Sequence, residues 1–544
     1  MASTALEEDH HSASELPHKA VISITISHTT LITIIVIAVS VSAFLYFFLN
    51  GMTNVYGDGV AHVNIARKVV DSADASLRQR YIQIGSPWLP VQTIMMLPLV
   101  TNDWLWRTGA AGSIVSMISF IIAALVLYRL AQKLYRGEDP LSTKALPALS
   151  LAIFVFNPSV LYLQTTPMSE LVFMSALIVA VYLLQCWRDD QTTRRLAVAA
   201  IAVSFATLTR YEAWPVALFS ILLVTLAASG DWKTKVRATV TFGALASIGP
   251  LYWLWHNWEI YGNALEFLSG PNSARGIAIQ NRVNFNWSAI FVGHAGLDLL
   301  TMAATASVCA GPLVFLLGLA GFARSVVAKR KVLLEYSPPA LLMVPFLFEV
   351  FGLYRGEIQI IPISAFGLLN VRYGLPHMLG IALFAPAAVL LFNERSRRLA
   401  VIVCLVVVFA QYVYLISEGT TQLAIYQEGY RNGVNARPSR ERTRVASFLK
   451  INPPRKMILM HTGALGPLVS QGGLRFADTI HEGTERWHQL GDGIPKDVMT
   501  VVVQQGDPLD LRIQGERVLN QSLSAEFTQL YSAGNITVYE RVKK

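Results

Sequence analysis

Eight ionisable side chains stand where apolar runs of this sequence meet polar loops: Asp58, Glu170, Arg210, Glu212, Glu349, Arg355, Glu357 and Arg372. Charges beside such runs are expensive to keep, so their positions are informative. Two chemistries are available from these residue types. A carboxylate can take a proton from a hydroxyl, and Asp58 and Glu170 are the candidates for that work. A guanidinium can hold a phosphate oxyanion through charge-assisted hydrogen bonds, and Arg210, Arg355 and Arg372 are the candidates for that. Asp58 lies in the phrase Tyr56-Gly-Asp-Gly-Val-Ala-His62, which opens an amphipathic helix, and His62, four residues on, shares its helical face. Glu170 closes Thr166-Pro-Met-Ser-Glu170. Arg210, Tyr211 and Glu212 lie in Thr207-Leu-Thr-Arg-Tyr-Glu-Ala-Trp-Pro215, and Arg372 and Tyr373 in Asn370-Val-Arg-Tyr-Gly-Leu-Pro376.

Each of these has an ordinary structural explanation. Asp is a favoured residue at a helix N-cap, which would account for Asp58. Glu170 suits the positive end of a helix dipole. Arg210 and Glu212 can pair locally, and Arg372 can snorkel to lipid phosphates. The coincidence is harder to explain, because these charges come from five different outward ends at about one depth. That predicts a cleft at the level of the lipid headgroups. A transporter is expected to gather its ionisable groups near the bilayer midplane instead, often in repeated halves.

The elements that must hold these side chains are membrane spans. The chain has 544 residues, 53% hydrophobic and only 15% charged, with a mean hydropathy of +0.45. Soluble domains carry about 25% charged residues, so much of this surface faces something other than water. A span needs about 20 mostly apolar residues. Runs 22–49, 109–131, 168–187, 212–229, 238–256, 299–323, 337–353, 376–393 and 399–416 qualify. Two shorter runs, 146–157 and 196–209, are needed to keep neighbouring loops on consistent sides. The expectation is an α-helical polytopic membrane protein of about 11 transmembrane helices.

Orientation comes from the loops. Arg129, Lys133, Arg136 and Lys144 fall in one loop, Arg188, Arg194 and Arg195 in another, and Lys233, Lys235 and Arg237 in a third. Arg324, Lys329, Arg330 and Lys331, then Arg395, Arg397 and Arg398, complete the set. Positive-inside bias assigns these loops and the N-terminus to the cytoplasm, and everything after residue 416 to the outside. The net charge of +9 is thereby accounted for without a nucleic-acid partner.

Three regions are expected: a flexible cytoplasmic tail over 1–20, a transmembrane domain over 21–416 with a long first outer loop at 50–108, and an extracytoplasmic α/β domain over 417–544. In the outer loop, the helix that Asp58 opens and Trp88, Trp104 and Trp106 are expected to lie along the membrane surface. In the last region, Lys456–His461, Val498–Val503 and Ile536–Tyr539 read as short buried strands, and Arg442–Ile451 and Leu509–Asn520 as helices. Cys186, Cys309 and Cys404 each fall in or at the end of an apolar run, with neither disulfide nor metal spacing. The first 20 residues lack a basic n-region and the next run lacks a cleavage site, so a retained span is expected rather than a signal peptide.

These phrases and their placement resemble the GT-C superfamily of integral-membrane glycosyltransferases. The nearest branch holds the protein O-mannosyltransferases and the lipid A aminoarabinose transferase. Members of that branch carry an acidic residue just after the first span, as Asp58 stands here, and another in the next outer loop, where Glu170 stands. Leu-Thr-Arg-Tyr-Glu-Ala-Trp-Pro and Asn-Val-Arg-Tyr-Gly-Leu-Pro look like phrases in bacterial relatives. The resemblance covers about residues 22–416 and is less specific for the tail. It departs at Gly59, where the family's Asp-Glu dyad has its second carboxylate. No Trp-Trp-Asp-Tyr-Gly signature is present, which argues against an oligosaccharyltransferase.

The resemblance implies transfer of a mannose-like or pentose sugar from a polyprenyl-phosphate donor to a hydroxyl of a lipid, glycan or protein acceptor. The reaction would run on the outer face of a bacterial inner membrane, among its lipids. The residues agree independently, because no Gly-rich loop is present to hold a nucleotide sugar. Phosphate leaves readily, so one carboxylate suffices, whereas a glycosidase needs a pair. Asp58 and Glu170 are then the expected catalytic residues. His62, Arg210, Tyr211, Glu212, Arg355, Arg372 and Tyr373 are expected to bind substrate, and a single displacement would invert the anomeric centre. No cofactor is certain; Mg or Mn held by Asp58 and Glu170 is the variant, against which Gly59 counts. A transporter or flippase with an extracytoplasmic domain is the alternative, disfavoured by the lack of midplane charges. A non-catalytic scaffold would leave the outer charges unexplained.

Overall fold

The computed structural model describes residues 27–72, 76–136, 140–282, 288–328, 338–362 and 367–542; the tail expected over 1–20 lies outside them. Five described helices are long and apolar enough to cross a membrane: His28–Leu49, Ala110–Leu134, Glu170–Asp190, Val371–Leu391 and Glu394–Leu415. Each falls on an expected run. The fourth is 3-10 over Val371–His377, α over Met378–Phe384 and 3-10 again over Ala385–Leu391, with Pro376 and Pro386 in its 3-10 parts. Proline lacks the N–H that an α-helical ladder needs, which loosens the winding there. Other expected spans fall on shorter helices, among them Pro140–Val155, Thr193–Thr207, Ala213–Ala227 and Val344–Arg355.

Two expected spans are not continuous helices. Run 238–256 is split at Ser247 into Trp232–Ala246 and Ile248–Tyr261. Run 299–323 breaks between Ala295–Ala310 and Pro312–Val327, which meet at 115°. Gly311 takes a left-handed φ of 87° at the break, and any side chain there would collide with Gln411. Pro312 follows and cannot donate to the preceding turn. Gln411 Oε1 instead accepts the freed N–H of Leu313 at 2.8 Å. By length and composition the described helices give five spans, or six with the bent pair counted once.

The last region is built on a five-stranded sheet. Its strands are β1 (Met457–Met460), β2 (Thr479–Ile480), β3 (Val498–Gln504), β4 (Phe527–Ala533) and β5 (Ile536–Arg541), in the order β2-β1-β3-β5-β4. The β1 strand runs parallel to β2 and β3, while β5 pairs antiparallel with both β3 and β4. Helix Arg437–Ile451 covers one side. The helix expected over 509–520 is two helices, Pro508–Gly515 and Arg517–Glu526, separated by extended Glu516.

This domain buries much of segment 50–108. Val63, Ala66, Val91, Met96 and Trp106 share one apolar core with Val445, Ile458, Met460, Leu465 and Phe476. The helix Gly57–Val70 is therefore packed between protein layers, not laid on the membrane surface as its sequence suggests. Trp106 is part of that core, its Nε1 donating to Asn64 Oδ1 at 2.9 Å, and only Trp104 keeps an exposed ring. The expected tryptophan belt fails for a physical reason: the tail domain supplies the apolar partner that lipid would otherwise provide.

Candidate active site

Local packing sets each charged residue in place. Helix Gly57–Val70 is capped by the backbone of Tyr56, with no side-chain cap bond, so Asp58 is not its N-cap. Glu170 is the first residue of its helix, and the turn before it is clamped from three sides. Ser113 Oγ donates to the Thr165 carbonyl at 2.7 Å, Gln92 Nε2 to that of Pro167 at 2.8 Å, and Ser116 Oγ to that of Met168 at 3.0 Å. Pro167 fills the space between two glycines. A Cβ on Gly59 would lie 2.9 Å from Pro167 Cγ, and one on Gly112 would collide with the same ring. The carboxylate absent at position 59 thus has no room beside this turn. Arg372 follows Asn370, which takes a left-handed φ of 54° and donates from Nδ2 to the Gln359 carbonyl at 2.8 Å.

Arg372 is the hub. Its guanidinium reaches Asp58 Oδ2 at 2.6 Å, Glu428 Oε1 at 2.8 Å and Glu170 Oε1 at 3.2 Å. Arg210 contacts Glu212 at 2.6 Å and the same Glu170 oxygen at 3.0 Å. The Tyr373 ring lies under both, 5.0 Å from the Arg210 guanidinium carbon and 5.8 Å from that of Arg372. Five segments remote in sequence therefore meet in one ionic network, and Arg372 is buried within it rather than snorkelling to lipid. A buried ion pair is tolerable only when its partners are well arranged, because desolvation costs several kcal/mol per ion.

The charges do not balance. Asp58, Glu170, Glu212 and Glu428 are set against two guanidiniums, a formal excess of two negative charges. Glu170 Oε2 is buried without a hydrogen-bond partner. Side-chain exposure separates the four acids: 45% for Asp58 but 0%, 5% and 3% for Glu170, Glu212 and Glu428. Asp58 alone of these four carboxylates is open to solvent.

His62 lies one turn beyond Asp58, buried with its ring 4.4 Å from Trp88. Burial pulls its pKa down to about 4, against the pull of the Asp58 carboxylate, so the imidazole is neutral near pH 7. Tyr211 sits outside the ionic network. Its hydroxyl donates to the Pro87 carbonyl at 3.1 Å and accepts from Trp253 Nε1 at 3.0 Å, and its ring stacks on Phe267. Arg355 also stands apart, half exposed and 3.6 Å from Glu357. Glu349 pairs with buried His377 at 2.7 Å.

Glu428 was not legible in the sequence. It lies in the polar stretch after the last span, inside Tyr426-Gln-Glu-Gly-Tyr430, where a charge is unremarkable. Burial raises its pKa, opposed first by Arg372. No local signal marks it: the packing of Gly429, where a Cβ would lie 2.8 Å from the Tyr56 ring, exists only in the fold.

Asp58 and Glu170 fit a divalent ion poorly. Each directs an oxygen at the Arg372 guanidinium, so a cation already stands between them, and a metal would have to displace it. Among the described residues, no group of three or more His, Cys, Asp or Glu side chains is arranged as a metal site.

No protein-family model and no curated protein sequence matches this chain. Solved structures do. The lipid A aminoarabinose transferase ArnT from Cupriavidus metallidurans in the apo state superposes with a TM-score of 0.52 at 12% identity, over 95% of this chain and 99% of that one. The same enzyme bound to undecaprenyl phosphate gives 0.51 at 11%, with the same coverage. An oligosaccharyltransferase from Archaeoglobus fulgidus superposes more loosely, at 0.46 and 10% identity, over 95% of this chain and 74% of that one. The overall fold is shared with ArnT: a mostly helical body with a small C-terminal sheet domain.

Proposed function

We propose that the protein is a glycosyltransferase that moves a mannose-like or pentose sugar from a polyprenyl-phosphate donor to an acceptor hydroxyl on the outer face of a bacterial inner membrane. The observation that carries this reading is the exposed Asp58 carboxylate held 2.6 Å from Arg372, in a network whose other acids are buried. The fold shared with ArnT, which binds undecaprenyl phosphate, supports the donor class.

Asp58 accepts the proton of the acceptor hydroxyl as its oxygen attacks the anomeric carbon. One C–O bond forms to the acceptor and the C–O bond to phosphate breaks, inverting the centre. The leaving polyprenyl phosphate gains negative charge, which Arg372 and Arg210 meet. Since Arg372 is already held by three carboxylates, the phosphate competes with Asp58, the exposed one. Donor binding thus loosens Asp58 from its arginine and frees it to act as base. Glu170 holds the two arginines together through one oxygen and leaves the other for a sugar hydroxyl. The neutral His62 supports the same pocket.

Mass spectrometry of lipid co-purified with the protein tests the donor class. A polyprenyl phosphate or its glycoside is expected, and a lipid extract without either, together with no transfer from a polyprenyl-phosphate sugar, would overturn the reading. Topology is tested separately. A reporter active only outside the cytoplasm is expected to work when fused after residue 544 and to fail after Arg330; the reverse pattern would move the site inside.

A further inference from the structure

The reaction above leaves one surface of the tail domain unused. Thr443, Arg444, Ser447, Phe448 and Ile451 of helix Arg437–Ile451, with Tyr531 of β4, line a groove of about 380 Å³. The helix positions share one face. Phe448 and Tyr531 stack with ring centroids 4.3 Å apart and planes 5° from parallel, giving the groove a rigid aromatic floor. Ile451 at its end is 80% exposed.

The charge around this groove is of one sign. Between Arg431 and Lys456 the chain carries eight Lys and Arg and a single acid, Glu441, which is bound to Arg437 at 2.8 Å. Arg440, Arg444, Lys450, Arg455 and Lys456 are exposed and make no salt bridge among the described residues. Such a field attracts an anion and repels a cation. The strip also begins beside the ionic network. Segment 430–434 crosses the start of helix Gly57–Val70 so closely that a side chain on Gly433 would collide with the Val55 carbonyl, three residues before Asp58.

We propose that this groove binds the acceptor as an anionic saccharide chain. Sugar rings lie on the aromatic floor, and carboxylates or phosphates of the chain pair with Arg440 and Arg444. The inference rests on the transferase reading and adds the chemical class of its acceptor. Charge complementarity selects an anion, and the Phe448–Tyr531 aromatic pair offers apolar surface of the kind on which sugar rings lie.

The test is binding without donor, on full-length protein held in discs of neutral phosphatidylcholine. The probes are a fluorescent oligogalacturonate, a neutral dextran oligosaccharide of equal length and phosphatidylglycerol vesicles. Oligogalacturonate is expected to bind in preference to dextran, with an affinity that falls as salt is raised. The double substitution Arg440→Ser, Arg444→Ser is expected to weaken it about tenfold while melting is unchanged, since both side chains are exposed. Tyr531→Ser is expected to weaken it with the salt dependence kept. Equal dextran binding, unchanged affinity in the arginine variant, or binding of the vesicles alone would overturn the proposal. Because no donor is present, loss of binding leaves the transferase reading intact, and a protein that binds but does not transfer would fail that reading instead.

Discussion

The two ends of helix Gly57–Val70 carry ionic networks of opposite character. At the end of the helix, Arg67 is saturated: it contacts Asp71 at 3.1 Å and Asp103 at 2.7 Å, donates to the Val100 carbonyl at 2.7 Å and lies 4.4 Å over the Trp106 ring. Asp71 in turn takes Arg475 of the tail domain at 3.3 Å. At the start of the helix, Asp58 belongs to a network with excess negative charge, an orphaned Glu170 oxygen and one solvent-facing carboxylate. Buried polar groups are normally paired, and exceptions call for an explanation. The saturated network docks one domain on another, while the unsaturated one leaves a buried oxygen unpaired and a carboxylate open to solvent.

That contrast can be broken by substitution. Arg67→Ala leaves the buried Asp71 with only the exposed Arg475 as partner and is expected to destabilise the protein by about 3 kcal/mol, the low end of what removing one partner of a buried pair costs. Thermal melting checks this, and a variant that melts like the parent but loses activity would make Arg67 part of the chemistry. The next effect is a pH dependence at the other end. His62 is held neutral in the fold, so its contribution is complete above pH 6.5 and declines as pH falls from there towards 4. A shift of that size corresponds to about 3 kcal/mol. The melting temperature of His62→Gln is expected to fall less steeply across this window than that of the parent; parallel slopes would remove His62 from the account.

Smaller effects sharpen the comparison. Arg372→Lys keeps a cation among the carboxylates but loses the planar fork, so the fold is expected to persist while kcat/KM drops. Loss of charge-assisted contacts of this kind costs about 1.5–3 kcal/mol, roughly ten- to a hundredfold, and donor KM is expected to carry most of it. Weakened acceptor dependence with unchanged donor dependence would give Arg372 a different role. Arg355→Ala is expected to change stability and activity least, within about 0.5 kcal/mol, because its pair with Glu357 is exposed. A large loss of activity in that variant would restore the substrate-binding role that its sequence position suggests.

Much of this arrangement is legible in the sequence, because hydrophobic runs and the charges that border them obey simple energetics. Asp58, Glu170, Arg210, Glu212 and Arg372 all border apolar runs, and the fold brings all five together. Arg355 and Tyr211 border such runs too, yet they face elsewhere, since depth in the membrane says nothing of direction around a helix. Glu428 escapes notice because its desolvation comes from tertiary packing against Tyr56 and Arg372, not from its neighbours in sequence. Trp106 misleads for the related reason that an amphipathic tryptophan suits a domain interface as well as a headgroup layer. The breaks at Gly311-Pro312 and at Ser247, just before Gly249-Pro250, are misses with a local signal, since that dipeptide marks a turn. Gly59 reads as a departure from a family pattern, and the packing of Pro167 gives it a steric cause.

The central claim is that Asp58 is the base of a transfer from a polyprenyl-phosphate sugar. Asp58→Asn is nearly isosteric, and the side chain is half exposed, so the melting temperature should barely move. General-base catalysis contributes on the order of 10²–10⁴-fold. Transfer of label from a radiolabelled polyprenyl-phosphate monosaccharide, measured for parent and variant under identical conditions, is the direct measurement. The account predicts that the variant keeps its fold and donor binding but loses at least about 99% of its turnover. Turnover above about a tenth of the parent's would contradict it and return Asp58 to a structural role.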